Sequence, residues 1–213
     1  MSQTAQTLVS YYLHAKRAVI DAGFAPEIIW QKEAATSDVT GASFLEQATW
    51  VVLSAGMAAH VVGRRFPDIR EAMHEFKLEA IAADPQCRRR LLRVFNHPKK
   101  IDAILAIANF ARAKGDEHIK DLIVSANQGE LMTLPYIGPV TVLHLLKNLG
   151  MPVVKPDRHL VRLARRLDVD VDDMCTEISE YFGEPPAVVD IVLWRWSTLH
   201  GRCSECSDEL PHR

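Results

Sequence analysis

The chain is poor in cysteine, with Cys87, Cys175, Cys203 and Cys206 scattered unevenly through 213 residues. That excludes a disulfide framework and makes reduced thiols the expectation. It lacks any apolar run near the length of a membrane span, and the opening Met1-Ser2-Gln3-Thr4 lacks the charged-then-apolar layout of a secretory signal. A cytoplasmic protein with no membrane partner is therefore expected. It also lacks a charge excess. A formal net charge of −2 gives no global attraction to nucleic acid, so any such case rests on where the basic residues cluster. Sustained two-residue alternation, internal repeats and low-complexity linkers are missing too, which removes the usual signatures of sheets, solenoids and tethered modules.

What is present is helical periodicity. Apolar residues recur at three- and four-residue spacing, as in Leu8, Tyr11, Tyr12, Ala15 and Val19, and the expected fold class is all-α. Ser43-Phe44-Leu45-Glu46 reads as a capping box opening a helix toward Gly56. Pro67, Pro85 and Pro98 mark further helix starts or breaks, and Asn127-Gln128-Gly129 a turn. A helix of about three turns should then run to Gly150. Pro152 and Pro156 make Met151 to Pro156 extended, and helices follow over about Asp157–Leu167, Asp172–Phe182 and Pro185–Leu199.

Two basic clusters stand out: Arg88, Arg89, Arg90 and Arg93 with Lys99 and Lys100, and Lys155, Arg158, Arg162, Arg165 and Arg166. Seven acids between Asp168 and Glu184 follow the second at once, so this part of the chain is polarised in charge. Between the clusters lies Leu134-Pro135-Tyr136-Ile137-Gly138, a tight turn joining two helices. Such a turn, with its glycine bend and the amides of the following helix, can hold a phosphate, though it also fits an ordinary helical hairpin. Nineteen positions after Gly138, Asp157 opens a helix. A carboxylate there is stabilised as an ion by free amides and the helix dipole, and simple capping explains it equally well.

These residues together resemble the helix-hairpin-helix DNA glycosylase superfamily of endonuclease III and the alkylpurine and adenine glycosylases. The family's Leu-Pro-Gly-Val-Gly hairpin matches Leu134-Pro135-Tyr136-Ile137-Gly138, with Thr141 at its usual place. Its Val-Asp-Thr-His-Val-x-Arg segment matches Pro156-Asp157-Arg158-His159-Leu160-Val161-Arg162. Weaker echoes are Leu53-Ser54-Ala55-Gly56 and Leu199-His200-Gly201-Arg202, so the likeness covers roughly residues 40 to 205. The resemblance implies two helical lobes with the helix-hairpin-helix motif at the cleft between them. Residues 41–150 would form the central lobe, and 1–40 with 151–213 the terminal lobe that carries the aspartate. It implies a monomer acting on double-stranded DNA, with Asp157 catalytic and Pro135, Tyr136, Ile137, Gly138, Thr141, Arg158 and Arg162 on the DNA. Trp50, Met57, His60 and His144 would line the base pocket, or else simply fill the core.

Three departures refine the expectation. Members that also cleave the strand carry a lysine two residues after the hairpin glycine, where this chain has Val140. The implied activity is thus monofunctional: hydrolysis of the N-glycosidic bond of a flipped damaged, mismatched or modified base, leaving an abasic site. Alternatives are a glycosylase and lyase using Lys155 as the nucleophile, and a DNA-binding module without catalysis. Cys203 and Cys206 are too few for the family's four-cysteine iron–sulfur cluster, so no cofactor is required, although His200, Cys203, Cys206 and His212 have residue types and spacing suited to zinc. Tyr136, finally, replaces the hairpin's first glycine.

Overall fold

In the computed structural model, which describes residues 3–200, thirteen α-helices and one short 3-10 turn follow one another, and no strand occurs among the described residues. In chain order the helices are α1 (Gln3–Asp21), α2 (Ala25–Ala34), α3 (Gly41–Ser54), α4 (Ala59–Ala72), α5 (Leu78–Ala82), α6 (Cys87–Val94), α7 (Pro98–Lys114), α8 (Asp116–Val124), α9 (Gln128–Leu131), α10 (Pro139–Asn148), α11 (Arg158–Leu167), α12 (Val171–Phe182) and α13 (Pro186–His200). The chain divides into two compact units, one of residues 3–36 with 152–200 and one of Ser37–Met151. No described helix is long and apolar enough to cross a membrane.

In the Ser37–Met151 unit the central element is α3, whose Phe44, Leu45, Ala48, Val51 and Val52 are fully buried. It packs chiefly on α7, which contributes Ile101, Ile104, Ile107 and Ala111. The cap of α3 differs from the expected one. Thr40, not Ser43, is the N-cap: Ser43 N donates to Thr40 Oγ1 (3.1 Å) while Thr40 N donates to Ser43 Oγ (2.9 Å). Glu46 is thereby free of capping and pairs with Arg70. The reason lies at Gly41, where a Cβ would come within 2.8 Å of Leu78 Cδ1 and 3.0 Å of Asp116 Oδ1. Only glycine lets α3 start this close to α8, and Asp116 accepts from the Gly41 amide at 2.8 Å. Pro67 corrects a second expectation, since it sits inside α4 rather than at a helix end. The helix continues past it because Val62, Ile69 and Ala72 are anchored in the core on either side. Pro98 does open α7, and Asn127 caps α9 by accepting from Glu130 N.

The other unit is built on α1, α11, α12 and α13. Leu8, Tyr12, Ala15 and Val19 meet Leu160, Leu163 and Ala164, Met174 and Ile178, and Val188, Val189, Val192 and Leu193 in one apolar cluster. Its polar fastening is Glu184, in the turn before α13, which accepts from Tyr12 Oη (2.7 Å), Lys16 Nζ (2.6 Å) and Lys32 Nζ (2.7 Å). Burial pushes the Glu184 carboxyl up, but these donors outweigh it and draw it down to about 2. Cys87 and Cys175 are both buried.

Candidate functional site

In the Ser37–Met151 unit, α9 and α10 are joined by the turn Leu134 to Gly138. Leu134 and Ile137 are buried and pin the turn from below, and Ile137 N donates to Leu134 O across it (3.1 Å). Pro135, Tyr136, Pro139 and Val140 face outward. The conformational demand falls on Tyr136, with φ +67, and not on Gly138, whose φ −116 and ψ −172 are open to any residue. Gly138 does not leave its amide free either. It donates to Thr141 Oγ1 (2.6 Å), whose hydroxyl reaches back to Tyr136 O (3.0 Å). The first-turn amides that remain for an anion are those of Val140 and Thr141.

Behind this turn stands a residue that sequence reading places in the wrong role. Lys100 belongs by sequence to the first basic cluster, yet it is 3 % exposed. Its Nζ donates to Leu53 O and Ala55 O at 2.7 Å each, closing the C-terminus of α3, and lies 5.9 Å from the centre of the Tyr136 ring. Burial lowers its pKa. One ammonium thus ties the Leu53-Ser54-Ala55-Gly56 turn to the turn at Tyr136. The rest of that basic cluster is partly neutralised, Arg88 by Asp102 and Arg90 by Asp84. The expected pocket residues lie in this unit as well. Trp50 packs edge-on against Phe66 (5.2 Å), His144 is half-buried on α10, and Met57 and His60 are exposed around the start of α4.

In the other unit Asp157 is the N-cap of α11, with φ −81 and ψ 172. His159 N (2.8 Å) and Leu160 N (3.2 Å) both donate to the same oxygen, Oδ1. No described group donates to Oδ2, and the side chain is only half-buried. The carboxylate is therefore held by one oxygen and available through the other. The approach to it is fixed from both sides of Lys155: Asp157 N donates to Lys155 O (2.7 Å), and Lys155 N donates to Asp190 Oδ2 (2.7 Å). Asp190 is 2 % exposed in the middle of α13. Sequence reasoning passed over it, and its signal was a lone acid inside Val188-Val189-Asp190-Ile191-Val192.

Set against family models, curated proteins and solved structures, the chain finds no match in any of the three comparisons.

Next to Asp157, burial pushes the His159 imidazole below its ordinary range; the Asp157 charge opposes this, and Arg158, Arg162 and Lys155 reinforce it. His159 is thus neutral near pH 7, and its Nε2 accepts weakly from Arg158 Nε at 3.4 Å. The far face of α11 carries Arg158, Arg162, Arg165 and Arg166, all exposed. Of the four residues whose types and spacing suit zinc, Cys203, Cys206 and His212 lie outside the described residues. His200 is described: its Nδ1 donates to Trp196 O (2.9 Å) and its ring stacks on Trp196. Among the described residues no three His, Cys, Asp or Glu side chains form a metal-sized group.

Proposed function

We propose that the protein is a monofunctional DNA glycosylase of the helix-hairpin-helix type, with Asp157 as its catalytic carboxylate. The observation that carries the reading is the one-sided capping of Asp157. Capping uses only one carboxylate oxygen, so the second stays available at a fixed position, as a group that stabilises a cationic sugar requires. In the proposed reaction the C1′–N bond of an extruded nucleotide breaks and the base departs with the bonding electrons. The oxocarbenium-like sugar faces Asp157 Oδ2, which orients a water; the water oxygen bonds to C1′ and gives up its proton to the carboxylate. Asp190, through Lys155, is what keeps that carboxylate in register.

The turn at Tyr136 supports DNA as the substrate. Its exposed Pro135 and Tyr136 and the open amides of Val140 and Thr141 form a surface suited to one phosphate, which positions a duplex without reading its sequence. Val140 in place of a lysine supports hydrolysis over strand cleavage, because no amine stands two residues after the hairpin glycine to attack C1′. Lys100, one of two buried lysines of that unit, spends two of its three N–H groups on α3 carbonyls.

The test is release of free base from duplexes bearing alkylated, oxidised, deaminated, mismatched or hypermodified bases, with alkali used to reveal abasic sites. Wild type should release base from one class. Asp157→Asn, which keeps the cap, should bind the same duplex and turn over on the order of a hundredfold to a thousandfold more slowly. Equal binding by both forms with no base released by either overturns the proposal. A borohydride-trapped adduct lost in Lys155→Ala overturns its monofunctional part.

A further inference from the structure

α11 is strongly two-faced. Leu160, Leu163 and Ala164 enter the core, while Arg158, Arg162, Arg165 and Arg166 surround Val161 in an open concavity of about 420 Å³ on the opposite side. Four guanidinium groups on three turns repel one another at i,i+3 and i,i+4 spacing, an arrangement that invites neutralisation by acids. Acids are close at hand in sequence, from Asp168 to Glu184. Yet no ion pair among the described residues joins Arg158, Arg162 or Arg165 to any of them. Asp170 caps α12 through Asp172 N, and Glu184 is taken up by Lys16 and Lys32. The other arginine cluster is in part neutralised, since Arg88 and Arg90 both have carboxylate partners.

We propose that this arginine face is a track for the sugar-phosphate backbone of duplex DNA, used on undamaged as well as damaged sequence. The inference rests on the glycosylase reading for the identity of the polyanion, and it adds a surface that works without base recognition. Arg158 to Arg165 spans seven residues, about 10.5 Å of helix. Because about 3.4 Å is only the rise per phosphate along the duplex axis, and phosphates of one strand stand roughly twice as far apart through space, such a face meets about two or three phosphates. Guanidinium groups suit this use because their planar fork meets two phosphate oxygens at once. Val161 at the floor of the concavity leaves it open and offers no donor to a base edge, which is consistent with a contact that positions and slides but does not specify.

The experiment measures binding to a short undamaged duplex across a sodium chloride series. Three neutralised phosphates contribute about 2.7 to the slope of log affinity against log salt, so Arg162→Ala/Arg165→Ala should flatten the slope by about 1.8. Its affinity at moderate salt should fall about tenfold or more. Arg162→Lys/Arg165→Lys should keep the slope, and Arg17→Ala on α1 should change nothing. An unchanged slope in the alanine pair overturns the track, as does a lysine pair that loses as much as the alanine pair. Failure of the glycosylase reading is seen separately, as absence of base release by the wild type.

Discussion

Two carboxylates in the same unit show how differently one kind of group can be used. Glu184 is 9 % exposed and surrounded by donors, with Lys16 and Lys32 on Oε1 and Tyr12 on Oε2, so neither oxygen is left over. Asp157 is half-buried, spends Oδ1 on two amides and keeps Oδ2 open. A saturated carboxylate has its free energy committed to the fold, because any change of partner exposes an uncompensated charge. A half-engaged one is held in place while retaining a surface that can meet a new charge. The same contrast separates Lys100, sealed under α3, from Arg158, Arg162 and Arg165 of α11, which face outward.

The comparison is broken most directly at Glu184. Glu184→Ala leaves the buried Tyr12 hydroxyl without its acceptor and removes the shared partner of Lys16 and Lys32, and should lower stability by about 2–4 kcal/mol. A urea midpoint measured at neutral pH reads this loss. Asp157→Asn should move the same midpoint by less than about 0.5 kcal/mol, because Asn caps as well as Asp. If the two substitutions cost the same, the distinction between committed and available carboxylates fails. The pH dependence carries the sign. The folded carboxyl of Glu184 sits at about 2, below the ordinary glutamate value, so its stabilisation is complete above pH of about 4.5 and drains away as pH falls toward 2. Glu184→Gln should flatten the stability profile across that acid window and leave it unchanged at higher pH.

The helical class, the start of α7 at Pro98, the extended stretch before Asp157 and the cap at Asp157 itself were legible because each depends on neighbours in sequence: a fixed φ, a short side chain, a repeat of 3.6. The cap of α3 was misplaced by three residues because Thr40 and Ser43 are both good caps, and the choice between them is made by the approach of α8 to Gly41. Pro67 within α4 was hidden for the same reason, since anchoring on both sides of a proline is a tertiary fact. Lys100, Glu184 and Asp190 were the larger omissions. A lysine between Lys99 and Ile101 reads as surface, and only the packing of α7 on α3 makes it a buried cap. Charge pattern likewise placed acids close to the α11 arginines in sequence but could not say that Asp170 would cap α12 and Glu184 be taken up by Lys16 and Lys32.

Lys100 offers the next largest effect. Lys100→Met keeps the length and apolar stem but leaves Leu53 O and Ala55 O without their donor, and should cost about 1–3 kcal/mol. Thermal unfolding reads the loss. A neutral result would mean that water takes over both carbonyls, and that Lys100 is no more committed to the fold than the arginines of α11.

A smaller loss than that at Lys100 tests the turn itself. Tyr136 holds φ +67 where an L-residue is strained, and its ring lies over Lys100. Comparing Tyr136→Gly with the wild type would mix relief of strain with loss of the ring, so the useful pair is Tyr136→Gly against Tyr136→Ala. Both lack the ring, and only alanine keeps the left-handed penalty. Glycine should therefore be the more stable by about 1 kcal/mol, even though it is the more flexible residue in the unfolded chain. Denaturant midpoints of the two variants decide it. Alanine equal to or better than glycine would mean that the turn relaxes out of the left-handed region once the ring is gone, so that contact with Lys100, and not the backbone, shapes the surface on which a phosphate would sit.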